Sequence, residues 1–301
     1  MRMSGDDKWL ENFSQFGPAT KKAVEVIDKV TGMLLGPKYV QRMSQVEAAR
    51  VRMLAEARAD AMGIEARAKM RIEFEQVVHQ RNMEAVVFEA LPHLKDKADP
   101  SKVEEDWIAR FFGFVREIGR DDLRKTWGRI LAGEFNKPGS FSLRLLNIVS
   151  QMDTGEAQLF NSLCGFAIEF AGDPMPVVLN LNDPLYSSIG LNVASVSDFE
   201  GLGLLQFQNN SPFSRTQLPK RVGVRYHGKA LVLEFGQDTN NELPVGKVML
   251  TNPGRQLAAV CETSPVDGFA EYLKKYWARY GITLILDGDD SSAEVIVDRN
   301  F

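Results

Sequence analysis

The chain has 301 residues, a formal net charge of −4 and two cysteines. That length carries two domains, or one with a large extension, and 44% hydrophobic with 25% charged residues is ordinary for a globular protein. The charge gives no general pull toward nucleic acid or acidic lipid, and no uncharged apolar run approaches the ~20 residues that span a bilayer.

The opening MRMSGDDKWLENF has no signal-peptide core, so a cytoplasmic location is expected. Trp9, Phe13 and Phe16 fall at spacings of four and three, as in a short amphipathic helix or docking arm. Pro18 to Leu35 repeats the pattern with Ala23, Ile27, Val30 and Leu34, closed by Gly36-Pro37. Lysines flank that stripe, which suits either a helix packed on a neighbouring domain or one lying on a membrane surface.

Lys38 to Leu91 is free of proline and rich in Ala, Glu, Arg and Met, all strong helix formers. Continuous, it would be ~80 Å long. Val40, Met43, Leu54, Ala57, Ala61 and Ile64 form a weak stripe, while Val46, Val51, Met53 and Met62 lie off it. A surface apolar on more than one side, with charges of both signs, fits a rod that associates with other copies. A hairpin turning near Gly63 fits the same residues. From Ile72 to Leu91 the apolar positions Ile72, Phe74, Val77, Val78, Val86, Val87 and Leu91 suggest entry into a globular body.

Lys95 to Pro100 reads as a polar hinge. Ser101 with Glu104 forms a capping box for a helix through Ile118, with Trp107, Ile108, Phe111, Phe112 and Val115 inward. Asp121 caps a helix to about Phe135, whose apolar face is Leu123, Trp127, Ile130, Leu131 and Phe135. Gly128 and Gly133 within it each cost ~1 kcal/mol relative to alanine, which implies close approach of another element. Lys137-Pro138-Gly139 stops that helix, Ser140 caps the next with Leu143, Leu145, Leu146 and Ile148, and Asp153 with Glu156 opens a third from Thr154 to Phe170.

After Phe170 the chain alternates short helices and strands. Pro174, Pro176 and Pro184 break the first part. Val196 to Gly203 ends a helix that leads into a strand, Leu204 to Gln208. Val222 to Phe235 reads as a hairpin turning at His227-Gly228, and Gly246 to Leu250 as a further strand. Thr251 caps a helix with Pro253 in its first turn. A helix spans Val266 to Tyr280, and Ile282 to Leu286 and Glu294 to Val297 are strands. The expected fold is α+β, mainly α. An arm (1–37) leads to a long helical, coiled-coil-like extension (38–95), a helical bundle (101–171) and a smaller α+β domain that is partly winged-helix-like (185–301).

WGRILAGE at Trp127–Glu134, PGSFSLR at Pro138–Arg144 and QRNMEAV at Gln80–Val86 resemble a bacterial family of unknown function, the one numbered twenty-eight-oh-six. GLGLLQF at Gly201–Phe207 and VMLTNPGRQLA at Val248–Ala258 extend the resemblance more weakly. It implies relatives and a bacterial setting, with a role in phage defence or stress, and supplies no chemistry.

The remaining motifs are weighed on their residues. The order helix, strand, hairpin, helix in the last third is similar to a winged helix, with Arg215, Lys220, Arg221, Arg225 and Lys229 as a candidate basic wing. Against nucleic-acid binding, no lysine or arginine occurs between Arg144 and Arg215, where the recognition helix would lie. PGSFSLR offers a candidate anion site, with backbone amides at the Ser140 helix start and the cations Lys137 and Arg144 nearby. Its structural alternative is a cap at Ser140 and an Arg144–Glu134 pair. His79, His93 and His227 have no metal-ligand spacing, and no phosphate-binding loop or nucleophile elbow occurs. Asp287-Gly-Asp-Asp290 lacks the glycine and glutamate positions of a calcium loop. Cys164 and Cys261 read as separate buried free thiols. No catalytic residue, metal or cofactor is expected. The reading is a non-catalytic oligomeric scaffold or sensor component, a homo-oligomer or part of a protein complex, with a nucleic-acid-binding regulator as the alternative.

Overall fold

A computed structural model describes residues 18–32 and 63–286. The expected arm at 1–16, most of the coiled-coil-like segment, the acidic turn at Asp287 and the last strand lie outside those residues. The chain divides into two compact units, Met1–Leu146 and Asn147–Phe301. The fold is α+β and mainly α, as the sequence leads one to expect.

The first unit is helical. Helix α1 (Pro18–Thr31) buries Ala19, Thr20, Ala23, Val24 and Ile27, so its apolar stripe faces protein. Lys22 and Lys29 hold it at the rim through Asp99 (2.6 Å) and Glu105 (2.6 Å). Helix α2 (Ile64–Ala90) starts after Gly63, whose ψ of 163° is extended. The described helix therefore does not continue back through Gly63, and residues 38–62 lie outside the described chain. At ~1.5 Å per residue α2 is ~40 Å long. Only its second half is buried, through Asn82, Glu84, Val86, Val87 and Ala90.

Helix α3 (Glu105–Val115) points Trp107, Ile108, Phe111, Phe112 and Val115 inward, as the periodicity predicts. Its capping box is absent. Ser101 Oγ instead donates to Asp99 (2.7 Å), because a 3-10 turn over Pro100–Lys102 carries that serine away from the helix start. Glu104 is the N-cap and makes no side-chain cap bond.

Helix α4 (Asp121–Asn136) has Arg120 as its N-cap, and Asp121 and Asp122 sit one step inside, where carboxylates favour the positive helix end. Trp127, Ile130, Leu131 and Phe135 are buried, and Leu123 is half-buried. Gly128 lies against α2: a Cβ there would be 2.7 Å from the Glu89 Cβ and 2.9 Å from its carbonyl carbon. Gly133 makes room for the Phe141 ring. Both glycines thus serve the close approach that their place in a helix implies. Phe111 meets Trp127 edge-on at 5.3 Å, and Trp107 donates its indole N–H to the Phe141 carbonyl (2.7 Å). Asn82 donates to the Arg116 carbonyl (2.8 Å) and accepts from Arg124 (3.0 Å), which ties α2 to the α3–α4 corner. Helix α5 (Leu143–Gln151) buries Leu145, Leu146, Ile148 and Val149.

The boundary between the units falls within α5, and the next element is helix α6 (Thr154–Cys164). Its capping box is formed as expected, with Asp153 accepting from the Glu156 N–H and Glu156 from the Asp153 N–H, each at 2.8 Å. The helix ends at Cys164, not Phe170. Residues 167–170 form strand β1 (Ala167–Phe170), which turns at Ala171-Gly172 into β2 (Asp173–Pro176). Alternating burial of Phe166 and Ile168 fits a strand better than a helix face. Short helices α7 (Pro184–Ser187) and α8 (Val193–Leu202) follow, and α8 ends at Gly203 with φ 82°.

Strands β3 (Leu205–Phe207), β4 (Phe213–Leu218), β5 (Arg221–Tyr226), β6 (Lys229–Glu234), β7 (Asn241–Gly246) and β8 (Val248–Leu250) lead to helix α9 (Asn252–Ala258). Helix α10 (Phe269–Ala278) and strand β9 (Thr283–Leu286) complete the described chain. Hairpin β5–β6 turns at His227 (φ 46°) and Gly228 (φ 80°), where the sequence places it. It does not stand out as a two-stranded wing: it lies inside a five-stranded sheet of order β2-β1-β5-β6-β9. Separate antiparallel pairs join β3 to β8 and β4 to β7. One sheet face is apolar and buried, through Val224, Tyr226, Leu231, Leu233 and Leu284. Phe166, Tyr186, Phe269 and Trp277 fill the core around it.

Candidate functional site

The anion-binding expectation centred on Lys137, Ser140 and Arg144. The loop after α4 does present its amides to an anion, but the anion is internal. The Glu134 carboxylate, 2% exposed, accepts from the Gly139 N–H (2.5 Å) and the Phe141 N–H (2.9 Å). Burial raises its pKa, while the amide hydrogen bonds of Gly139, Phe141 and Ser140 pull it back down. The expected Ser140 cap is a correction: α5 begins at Leu143, and Ser142 accepts from the Leu145 N–H (3.2 Å). Lys137 and Arg144 are exposed. The helix starts two residues later than Ser140 would cap it, because the loop before it wraps Glu134 through the Gly139 and Phe141 amides.

Four of the five candidate wing cations sit on β4, β5 and β6, and Lys220 lies in the turn between β4 and β5. Arg221 and Arg225 share the outer face of β5, and cross-strand register sets Arg221 opposite Glu234 and Arg225 opposite Glu169. Arg221 pairs with Glu234 at 3.5 Å and Lys220 with Asp238 at 3.2 Å. The Arg215 guanidinium lies 5.5 Å over the Phe170 ring. Lys229 is exposed at the hairpin end. Four of the five therefore face a carboxylate or a ring in this unit.

Sequence reasoning missed a small cavity of about 170 Å³ in the second unit. Cys164, Glu169, Arg225, His227 and Thr263 line it. The His227 Nε2 contacts the Gly165 carbonyl at 3.1 Å, a contact in which the ring nitrogen is the donor. Tyr226 donates to the same carbonyl (3.0 Å) and accepts from the Val266 N–H (2.8 Å), so both aromatic rings of the turn brace the end of α6. Burial raises the Tyr226 pKa. Cys164 is buried and Cys261 half-buried, and both are free. Both were expected to be free thiols, and both are, although the end of α6 lies beside the segment after α9, where Asn161 donates to the Glu262 carbonyl (2.9 Å). Among the described residues no three or more of His, Cys, Asp and Glu group as metal ligands, and no helix is long and apolar enough to cross a membrane.

No curated protein and no solved structure matches the chain. One family model does, over residues 66–274, which takes in α2 through most of α10. The Asn82 clamp, the Gly128–Gly133 face of α4, the loop around Glu134 and the Thr251–Ala258 helix start all fall within that span. On that match the chain belongs to the family described as "Protein of unknown function (DUF2806)".

Proposed function

We propose that this chain is a non-catalytic, oligomeric scaffold or sensor component that self-associates through the first half of α2. One observation carries the reading. From Asn82 onward α2 is embedded, yet Ile64, Ile72 and Val77 are 77%, 50% and 54% exposed. These positions lie on more than one side of α2, so covering all three takes more than one neighbouring copy and would bring roughly 3–5 kcal/mol per chain, at ~1.5–3 kcal/mol for each fully covered aliphatic scaled by its exposure. That is the low end of the ~4–15 kcal/mol that association costs, so several copies, each contributing such a helix, are needed. Glu65, Arg67, Lys69, Arg71, Glu73 and Glu75 surround the apolar positions with both signs of charge, as suits two like chains side by side.

The nucleic-acid reading has less support, because the ion-paired Lys220 and Arg221 are poorly free to meet phosphates. Size-exclusion chromatography with light scattering tests the proposal. The expected result is a multiple of the chain mass, reduced to one chain by Ile72→Glu with Val77→Glu. A one-chain mass for the unaltered protein at micromolar concentration, or saturable turnover of a small substrate, would contradict it.

A further inference from the structure

We propose that the cavity beside β1 and β5 is a binding site for a small free α-amino acid, its carboxylate held by Arg225 and its ammonium by Glu169. The site arises where two strands part. Among the described residues β1 meets β5 at one register pair, Glu169 with Arg225. Two positions further on, Ala167 would face His227, but there the chain takes φ 46°, then 80° at Gly228, and turns into β6. Ala167, His227 and Gly228 line the space this leaves, about 170 Å³, and Pro174 and Ala258 add to its apolar wall. His227 is fixed there by its Nε2 contact to the Gly165 carbonyl (3.1 Å).

Charge selects the ligand. Residues directly opposite on antiparallel strands share a sheet face, with Cβ atoms ~4.5–5.5 Å apart. Glu169 and Arg225 are such a pair, both are exposed, and both line the cavity. Neither makes an ion pair or side-chain hydrogen bond among the described residues, whereas Arg221, on the same strand face, pairs with Glu234. A plain anion would be repelled by Glu169, and a plain cation by Arg225. A ligand that carries both charges close together satisfies both groups. The guanidinium takes a carboxylate through two parallel N–H···O bonds, and an ammonium brings three donors to the Glu169 oxygens. Size narrows the class. A dry cavity of ~150 Å³ takes a six-carbon ring, so this one takes about six non-hydrogen atoms, as in glycine, alanine or serine. The site lies in the second unit and needs no self-association through α2.

Isothermal titration of the full chain with glycine, L-alanine and L-serine tests the proposal. Saturable binding is expected, with Kd between ~10 μM and ~1 mM, and none with L-phenylalanine. Propionate, which lacks the ammonium, and ethylamine, which lacks the carboxylate, should each bind about tenfold or more weakly than L-alanine. L-Alanine should weaken as much on Arg225→Gln and on Glu169→Gln, two exposed positions whose substitution leaves the core untouched. Ile72→Glu with Val77→Glu should bind L-alanine unchanged, which separates this site from the assembly. Propionate or inorganic phosphate binding as tightly as L-alanine would overturn the inference, as would an affinity that neither glutamine variant alters. So would the lack of any saturable binding up to ~10 mM amino acid, by calorimetry and by hydrogen-exchange protection of 164–170 and 225–228.

Discussion

Gly128→Ala is the substitution whose outcome the helix packing fixes most tightly. Judged by α4 alone, alanine should stabilise, since glycine in a helix interior costs ~1 kcal/mol relative to alanine. Packing opposes this. The new Cβ would lie 2.7 Å from the Glu89 Cβ, 2.9 Å from the Glu89 carbonyl carbon and 3.0 Å from the Ala90 nitrogen. Carbon atoms rest at ~3.5–4.0 Å, so α2 and α4 must part by about 1 Å. Two of the three obstacles are backbone and cannot rotate away. Overpacking of this kind costs ~1–3 kcal/mol, and separating the helices loosens the contacts of Val86, Val87 and Ala90 as well. The net expectation is a loss of ~1–2 kcal/mol. Gly113→Ala is the matched control, because nothing lies within 4 Å of its Cβ position in α3, and it should gain up to ~1 kcal/mol. Urea titration read by hydrogen exchange of the α2 and α4 peptides isolates this unit from the other. A Gly128→Ala protein as stable as Gly113→Ala would refute the close-packing argument.

Four further outcomes follow from the same structure. Glu134→Ala strands the Gly139 and Phe141 amides and should cost ~2–4 kcal/mol in urea unfolding, at ~1–3 kcal/mol per orphaned donor; Glu134→Gln, which keeps one acceptor oxygen, should cost less. Hydrogen bonds from Lys22, Ser101 and Lys102 hold the Asp99 carboxyl below its ordinary value. Its contribution is therefore present above the ordinary carboxylate pKa and is lost as pH falls through the lowered one, so Asp99→Asn should flatten the acid limb of stability against pH. Burial pushes Tyr272 and Tyr276 up to about 12 and Tyr186 higher still. Their contribution is present below the ordinary tyrosine value and lost as pH rises through about 12, which an alkaline melt with tyrosinate absorbance should follow, the two signals rising together. Asn82→Ala removes the partner of both the Arg116 carbonyl and the Arg124 guanidinium, and should raise exchange at the α3–α4 corner by tenfold or more, equivalent to ~1.4 kcal/mol.

The features legible in the sequence are those written locally. Periodicity identified the buried faces of α3 and α4, the Asp153–Glu156 box capped α6, and His227-Gly228 marked its hairpin. Gly128 and Gly133 were legible for a different reason: an unfavourable residue in a helix needs a tertiary explanation, and α2 and Phe141 supply it. Cap positions were less secure. Arg120 and Ser142 take the roles that Asp121 and Ser140 seemed to offer, because several polar residues compete at each helix start and only the loop path decides. The end of α6 was misjudged because Phe166, Ile168 and Phe170 fit both a short helix face and a strand. The Glu134 wrap and the pairing of Arg221 with Glu234 depend on contacts that only the folded chain makes, and no local spacing encodes them.

Concentration-dependent hydrogen exchange over Ile64–Val77 tests the central claim most directly. If other copies cover the exposed half of α2, its amides should be protected at high micromolar concentration and exchange faster on dilution, while Asn82–Ala90 stays protected throughout. Fast exchange of Ile64–Val77 at every concentration, with light scattering giving the mass of one chain, would contradict the account.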